Sequence, residues 1–173
     1  RLEAFNPFIP NNADDSGIPA AVFYWHLTNK SGKPIDTTLL FSMLNIAGVD
    51  QFGKNRNTFR DEGRSRGIYM TTEKFEADDI HFGNLALVTP HREVTHVTHW
   101  DRGGWFDAQT LFWQDFAEDG ILEPVESTLS PDNKTDTASL GLRATLQPNE
   151  TKTYPFILAW YFPKRENYWN GEE

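Results

Sequence analysis

Cysteine is absent from the 173 residues, which removes disulfides, thiolate zinc sites and cysteine nucleophiles together. A chain without disulfides fits a cytoplasmic life, and that compartment is the expectation. Long apolar runs are missing as well. None approaches the roughly 18 residues that a membrane-crossing helix needs, so no membrane span is expected. Basic clusters are also lacking. Lys and Arg number 16 against 25 Asp and Glu, a net charge of -9, which argues against a nucleic-acid partner, whose phosphates demand a basic footprint. Nucleophile-elbow, phosphate-loop and dinucleotide-fold glycine motifs do not occur, and neither a cofactor nor a metal is expected. The sequence begins at Arg1 with no methionine and no signal-peptide pattern. The expectation is therefore a piece of a longer polypeptide or a processed product.

What is present fits one globular domain spanning 1–173, with 38% hydrophobic and 24% charged residues. Proline and glycine cut the chain into short extended segments. Residues 20–28 carry Ala21, Phe23, Trp25 and Leu27 on one face and Val22, Tyr24 and His26 on the other, a strand covered on both sides. After the turn-rich stretch 28–34, residues 36–47 return as a second apolar strand. The two are expected to form a hairpin or neighbouring antiparallel pair. Segment 50–66 reads as a long polar surface loop. Strands are expected at 68–72, 85–89, 92–100, 138–146 and 154–162, with a polar connection over 121–136. Residues 138–146 alternate cleanly, predicting one dry face and one wet face. Trp25 and Trp160 are expected in the core. The pattern as a whole predicts an all-β antiparallel β-sandwich with one short helix near 106–117.

The helix belongs to the most distinctive stretch, Thr98 to Phe116. Gly103-Gly104 permits a sharp reversal. Trp105, Ala108, Phe112 and Phe116 then recur at helical spacing, with Asp107 as the expected cap. Trp100, Asp101, Arg102, Trp105 and Trp113 form the candidate surface, for docking another domain or for contact with sugar rings, which lie flat on aromatic faces. The carboxylates there have structural uses available: Asp101 paired with Arg102 or another arginine, Asp107 as cap, Asp115 in solvent. His96 and His99 are three apart on a strand and so point to opposite faces, which disfavours a shared metal ion. Acceptor tripeptides for N-glycosylation stand at Asn29, Asn133 and Asn149.

Several phrases together resemble the N-terminal domain of glycoside hydrolase family 116, the family of bacterial β-glucosidases and the non-lysosomal glucosylceramidase, also called bile-acid β-glucosidase. They are Glu3 to Pro10, Asp14-Asp15-Ser16, Ile18 to Phe23, Arg60-Asp61-Glu62-Gly63, Asp101 to Asp107, Phe112 to Phe116, Leu146 to Glu150 and Pro155 to Pro163. The resemblance covers nearly the whole chain; the phrase around Gly103-Gly104-Trp105 is its most specific part. It implies an N-terminal sandwich packed on a C-terminal (α/α)6 catalytic domain that carries both carboxylates of a retaining hydrolase. No catalytic residue transfers to this chain. The implied partners are that domain and a β-glucoside or glucosylceramide substrate, in a parent protein able to touch membranes peripherally. Family members also carry sandwich sequence upstream of the Phe-Asn-Pro-Phe segment, including a glycine-rich stretch, so an unpaired sheet edge is expected here. The alternative function is a stand-alone carbohydrate-binding module using Trp100, Trp105 and Trp113 as a platform.

Overall fold

The computed structural model describes residues 1–103, 107–164 and 166. Its strands are β1 Leu2–Phe5, β2 Ala20–Thr28, β3 Ile35–Leu44, β4 Asn55–Asp61, β5 Arg66–Thr72, β6 Asn84–Thr89, β7 Val94–Val97, β8 Thr137–Leu146 and β9 Thr151–Tyr161. A four-residue helix α1, Ala13–Ser16, and a longer α2, Ala108–Asp119, complete the elements. One sheet runs β1-β2-β9-β6-β5-β4 and the other β3-β8-β7. Every pairing is antiparallel. The expected all-β sandwich with one short helix is the fold, with α1 as a single additional turn capped by Asn12.

Period-two patterning explains the core. Ile68, Met70, Leu85, Leu87, Tyr154 and Phe156 point inward from the large sheet, facing Ala138, Leu140, Leu142 and Leu146 of the small one. Each such large side chain contributes about 1.5–3 kcal/mol on burial. Phe41 bridges the layers, with ring centroids 5.3 Å from Phe23 and 5.4 Å from Phe156.

Four expectations need correction. First, β2 and β3 are not partners: β2 lies between β1 and β9, and β3 pairs with β8 in the opposite sheet. The turn between them crosses the sandwich, anchored by the buried Asn29, whose amide donates to Lys33 O at 2.8 Å and Leu146 O at 3.0 Å. A glycan on that nitrogen would leave one N–H for the two acceptors and so break at least one of these bonds. Second, segment 50–66 is not a loop throughout, because it contains β4. Its inward residues Asn55 and Asn57 are polar yet buried, so apolar patterning is silent there. Third, the second face of β8 is wet only toward its end, at the half-buried Arg143 and the exposed Thr145. Ser139 and Gly141 are fully buried, because Thr95 and the buried Leu122 close over that side; Thr95 Oγ1 donates to Leu122 O at 3.1 Å. Fourth, Trp160 is 37% exposed, whereas Trp25 does pack against the core. β3, ten residues long, has a strand partner on one side only among the described residues.

His96 stacks on Phe59 at 3.8 Å with 9° between planes, and burial holds its pKa below the ordinary value near 6.5. A base with a depressed folded pKa binds fewer protons folded than unfolded. Stability is therefore complete above the unfolded value and falls as pH drops through it, until the folded pKa is passed. Replacing His96 by Phe preserves the stack and removes the proton. Urea unfolding at about pH 7.5 and 5 should show a smaller acid loss in His96→Phe than in wild type; equal losses would contradict this account. A second test concerns strand spacing. A Cβ on Gly67 would collide with the Leu87 carbonyl oxygen and lie 2.7 Å from Val88 Cα, both main-chain atoms that cannot turn aside. Gly67→Ala should lower unfolding free energy by at least about 2 kcal/mol.

Candidate functional site

The corner after β7 is built from main-chain anchors first. Asn57 Nδ2 donates to Thr98 O at 2.8 Å, and Thr98 Oγ1 to Val125 O at 3.2 Å. Trp100 N then donates to Thr137 O at 3.0 Å, so the chain leaves the sheet in a fixed direction. These anchors aim the Trp100 side chain across the outer face of β8. Its Nε1 donates to Ser139 Oγ at 2.8 Å, and Ser139 in turn meets Ser42 Oγ at 2.7 Å. One face of the indole is covered by Phe112 of α2, centroids 4.3 Å apart and 18° between planes.

Arg102 does not pair with Asp101. Its guanidinium takes both oxygens of the buried Asp136, Nε to Oδ1 at 3.0 Å and Nη2 to Oδ2 at 2.8 Å, and also donates to Thr128 Oγ1 at 2.9 Å. Such a planar two-point contact fixes direction as well as charge. Asp101 instead accepts from the Gly103 N–H and closes a turn. Asp107 stands at the start of α2 with helical backbone angles and makes no side-chain cap, contrary to expectation: a cap needs extended geometry to turn its oxygen back on the first turn. The helix is finished properly at its other end. Gly120 adopts φ 74°, its N–H donates to Phe116 O, and its carbonyl accepts from Thr38 Oγ1 at 2.8 Å. Asp115 is half-buried and accepts weakly from Glu123 N at 3.5 Å, so it is not simply in solvent.

Of the five candidate residues, Trp100, Asp101 and Arg102 come together around a groove of about 330 Å³ that Leu111 and Phe112 also line. Trp113 belongs to a different cleft, flanked by Phe116 and Arg143. Trp105 lies outside the described residues. Sequence reading missed Asp136, Thr128 and Ser139, which hold the corner from 26 to 39 residues away in the chain; no local pattern announces them. The histidines are dispersed: His81 bonds Asp79, His91 bonds Arg143 O, and His96 stacks on Phe59. His99 donates to Trp100 O. Among the described residues no group of three or more potential metal ligands converges. Asp101 and Asp115 are joined to main-chain N–H groups, so the corner is suited to shape and contact.

Removing the Arg102 head group would strand the Asp136 carboxylate, only 7% exposed. A fully buried pair broken this way costs roughly 3–5 kcal/mol. Because Arg102 is itself part-exposed, Arg102→Ala should cost about 2–3 kcal/mol and Arg102→Lys less, since charge remains while the fork is lost. Chemical denaturation of both variants measures the order; Lys equal to Ala would show that charge plays no part.

The family model described as beta-glucosidase 2, glycosyl-hydrolase family 116 N-term, matches residues 1–173, the full length of the sequence. A sandwich carrying the Asp101-Arg102-Gly103 turn and the aromatic helix behind it is therefore placed by the whole chain, not by one motif. The chain belongs to glycoside hydrolase family 116, as its N-terminal domain.

Proposed function

We propose that this domain is non-catalytic and supports a separate (α/α)6 catalytic domain in a retaining β-glucosidase of the glucosylceramidase-like kind. The observation that carries the reading is the match of the entire chain to the N-terminal part of a glycosidase family. Supporting it, Asp101 and Asp115 accept from main-chain N–H groups and Asp136 is paired with Arg102, whereas a retaining site needs two free carboxyls about 5–5.5 Å apart. The Trp100–Arg102 corner is the interdomain surface in this reading. Its frame is hydrogen-bonded to Asn57, Asp136 and Ser139, and Leu111 and Val125 beside the groove are 41% and 38% exposed, the apolar centre that a protein contact requires. Trp113 stands apart from that surface, on the other side of α2. The β-glucoside or glucosylceramide would be held chiefly by the catalytic domain. No helix among the described residues is long and apolar enough to cross a membrane, and we assign the parent to the cytoplasm with peripheral membrane contact.

A stand-alone carbohydrate-binding module built on a platform of three tryptophans fits less well. The Trp100 ring is covered on one side by Phe112 and its N–H is engaged. Trp113 borders another hollow. The accessory reading is tested by incubating purified chain with an aryl β-glucoside. No release of the aryl alcohol is expected, and turnover that co-purifies with the chain would overturn it.

A further inference from the structure

On the far side of α2 from Trp100, an open cleft of about 660 Å³ runs between the helix and the outer face of β3 and β8. This is within the roughly 300–1,000 Å³ of small-molecule sites. Trp113 borders it and is 61% exposed. An indole left in water forgoes the stabilisation its area would gain on burial. Packing of α2 does not require the exposure, since Phe112 already seats the helix on Trp100. Phe116 supports the Trp113 ring from the side at 5.9 Å and 55°.

Arg143 also borders the cleft. Its backbone is fixed, N–H to Glu93 O at 2.8 Å and carbonyl from His91 Nε2 at 2.7 Å. Its half-buried guanidinium has no ion-pair or hydrogen-bond partner among the described residues. Asp36 is oriented by the Thr145 hydroxyl on one oxygen. Glu93, Glu118 and Asp119 complete the charged lining.

The charges select a ligand class. An anion would meet four carboxylates, and a cation, though drawn by them, would leave the Arg143 guanidinium without an acceptor. A neutral molecule rich in hydroxyls suffers neither penalty, and it can both donate to carboxylates and accept from arginine. An exposed indole face suits the C–H face of a pyranose ring. We propose that this cleft binds a neutral oligosaccharide, with one ring laid on Trp113 and its hydroxyls bonded by Arg143 and Asp36. The proposal is independent of whether the chain is catalytic and does not involve the Trp100 corner.

Isothermal titration and tryptophan emission of the 173-residue chain against cellotetraose, laminaritetraose and maltotetraose test it. At least one probe should bind at a single site and perturb the emission. Trp113→Ala and Arg143→Gln should each weaken binding about tenfold or more, and Trp113→Phe should retain part of it. Phe8→Ser, at an exposed ring elsewhere, should leave binding unchanged. Melting curves matching wild type establish that each variant is folded; should Trp113→Ala fail this, Trp113→Phe and Arg143→Gln decide. Three results overturn the proposal: no binding of any probe, binding undiminished in the cleft variants, or a salt-sensitive signal reproduced by spermine, which would mark a cation site instead.

Discussion

Three buried asparagines at one end of the sandwich set the constraint on which the rest depends. Asn45 Nδ2 donates to Asn57 Oδ1 at 2.8 Å and to Thr71 O at 2.9 Å, and its Oδ1 accepts from Ala47 N at 3.0 Å. Asn55 Nδ2 donates to Ala47 O, and Asn57 Nδ2 to Thr98 O at 2.8 Å. Loops that close the end of a sandwich bury main-chain groups with no strand partner, and an unpaired buried group costs about 1–3 kcal/mol. Apolar residues could fill the same space but could not pair those groups. A network of this kind is stabilising only when it is satisfied throughout. It is also directional, which is why Thr98, and with it the corner, leaves the sheet at one fixed angle.

The helix depends on that angle in turn. A twelve-residue helix is marginal alone in water, and none of the residues of α2 is fully buried. It is held by the Phe112 stack on Trp100, the Gly120 carbonyl on Thr38, and the Leu122 anchor on Thr95 that follows. Each of these ties it to the outer face of the small sheet. Trp100 is thus a structural wedge between sheet and helix first, and a surface residue second. Arg102 and Asp136 brace the turn from the other side.

Legibility followed the chemistry of the inward face. β2, β5, β6, β8 and β9 carry apolar residues at period two, and their positions can be read from the chain directly. β4 cannot, because Asn55 and Asn57 point inward and their acceptors, Ala47 O and Thr98 O, come from other segments. Pairing was less legible than position. β2 and β3 are both apolar and separated by a turn, so local pattern favours a hairpin. The choice of β9 and β8 as partners is made by contacts far apart in the chain, such as the Thr28 and Thr151 hydroxyls at 2.8 Å. At the site, the adjacency of Trp100, Asp101 and Arg102 is a property of the chain. The separation of Trp113 from them is a property of the helix, whose successive residues 112 and 113 face different sides.

That separation divides labour on chemical grounds. The groove beside Trp100 is bordered by Leu111 and Val125, surfaces that gain by exclusion of water, and its charged neighbours Asp101, Arg102 and Asp115 are already hydrogen-bonded within the domain. The cleft beside Trp113 has the opposite character: one flat apolar ring among charged groups, several still able to bond. A protein partner covering the first would leave the second open, because α2 stands between them. One short helix, held on the small sheet by the Phe112 stack and the anchors at Gly120 and Leu122, therefore gives the domain two faces whose demands on a partner do not compete.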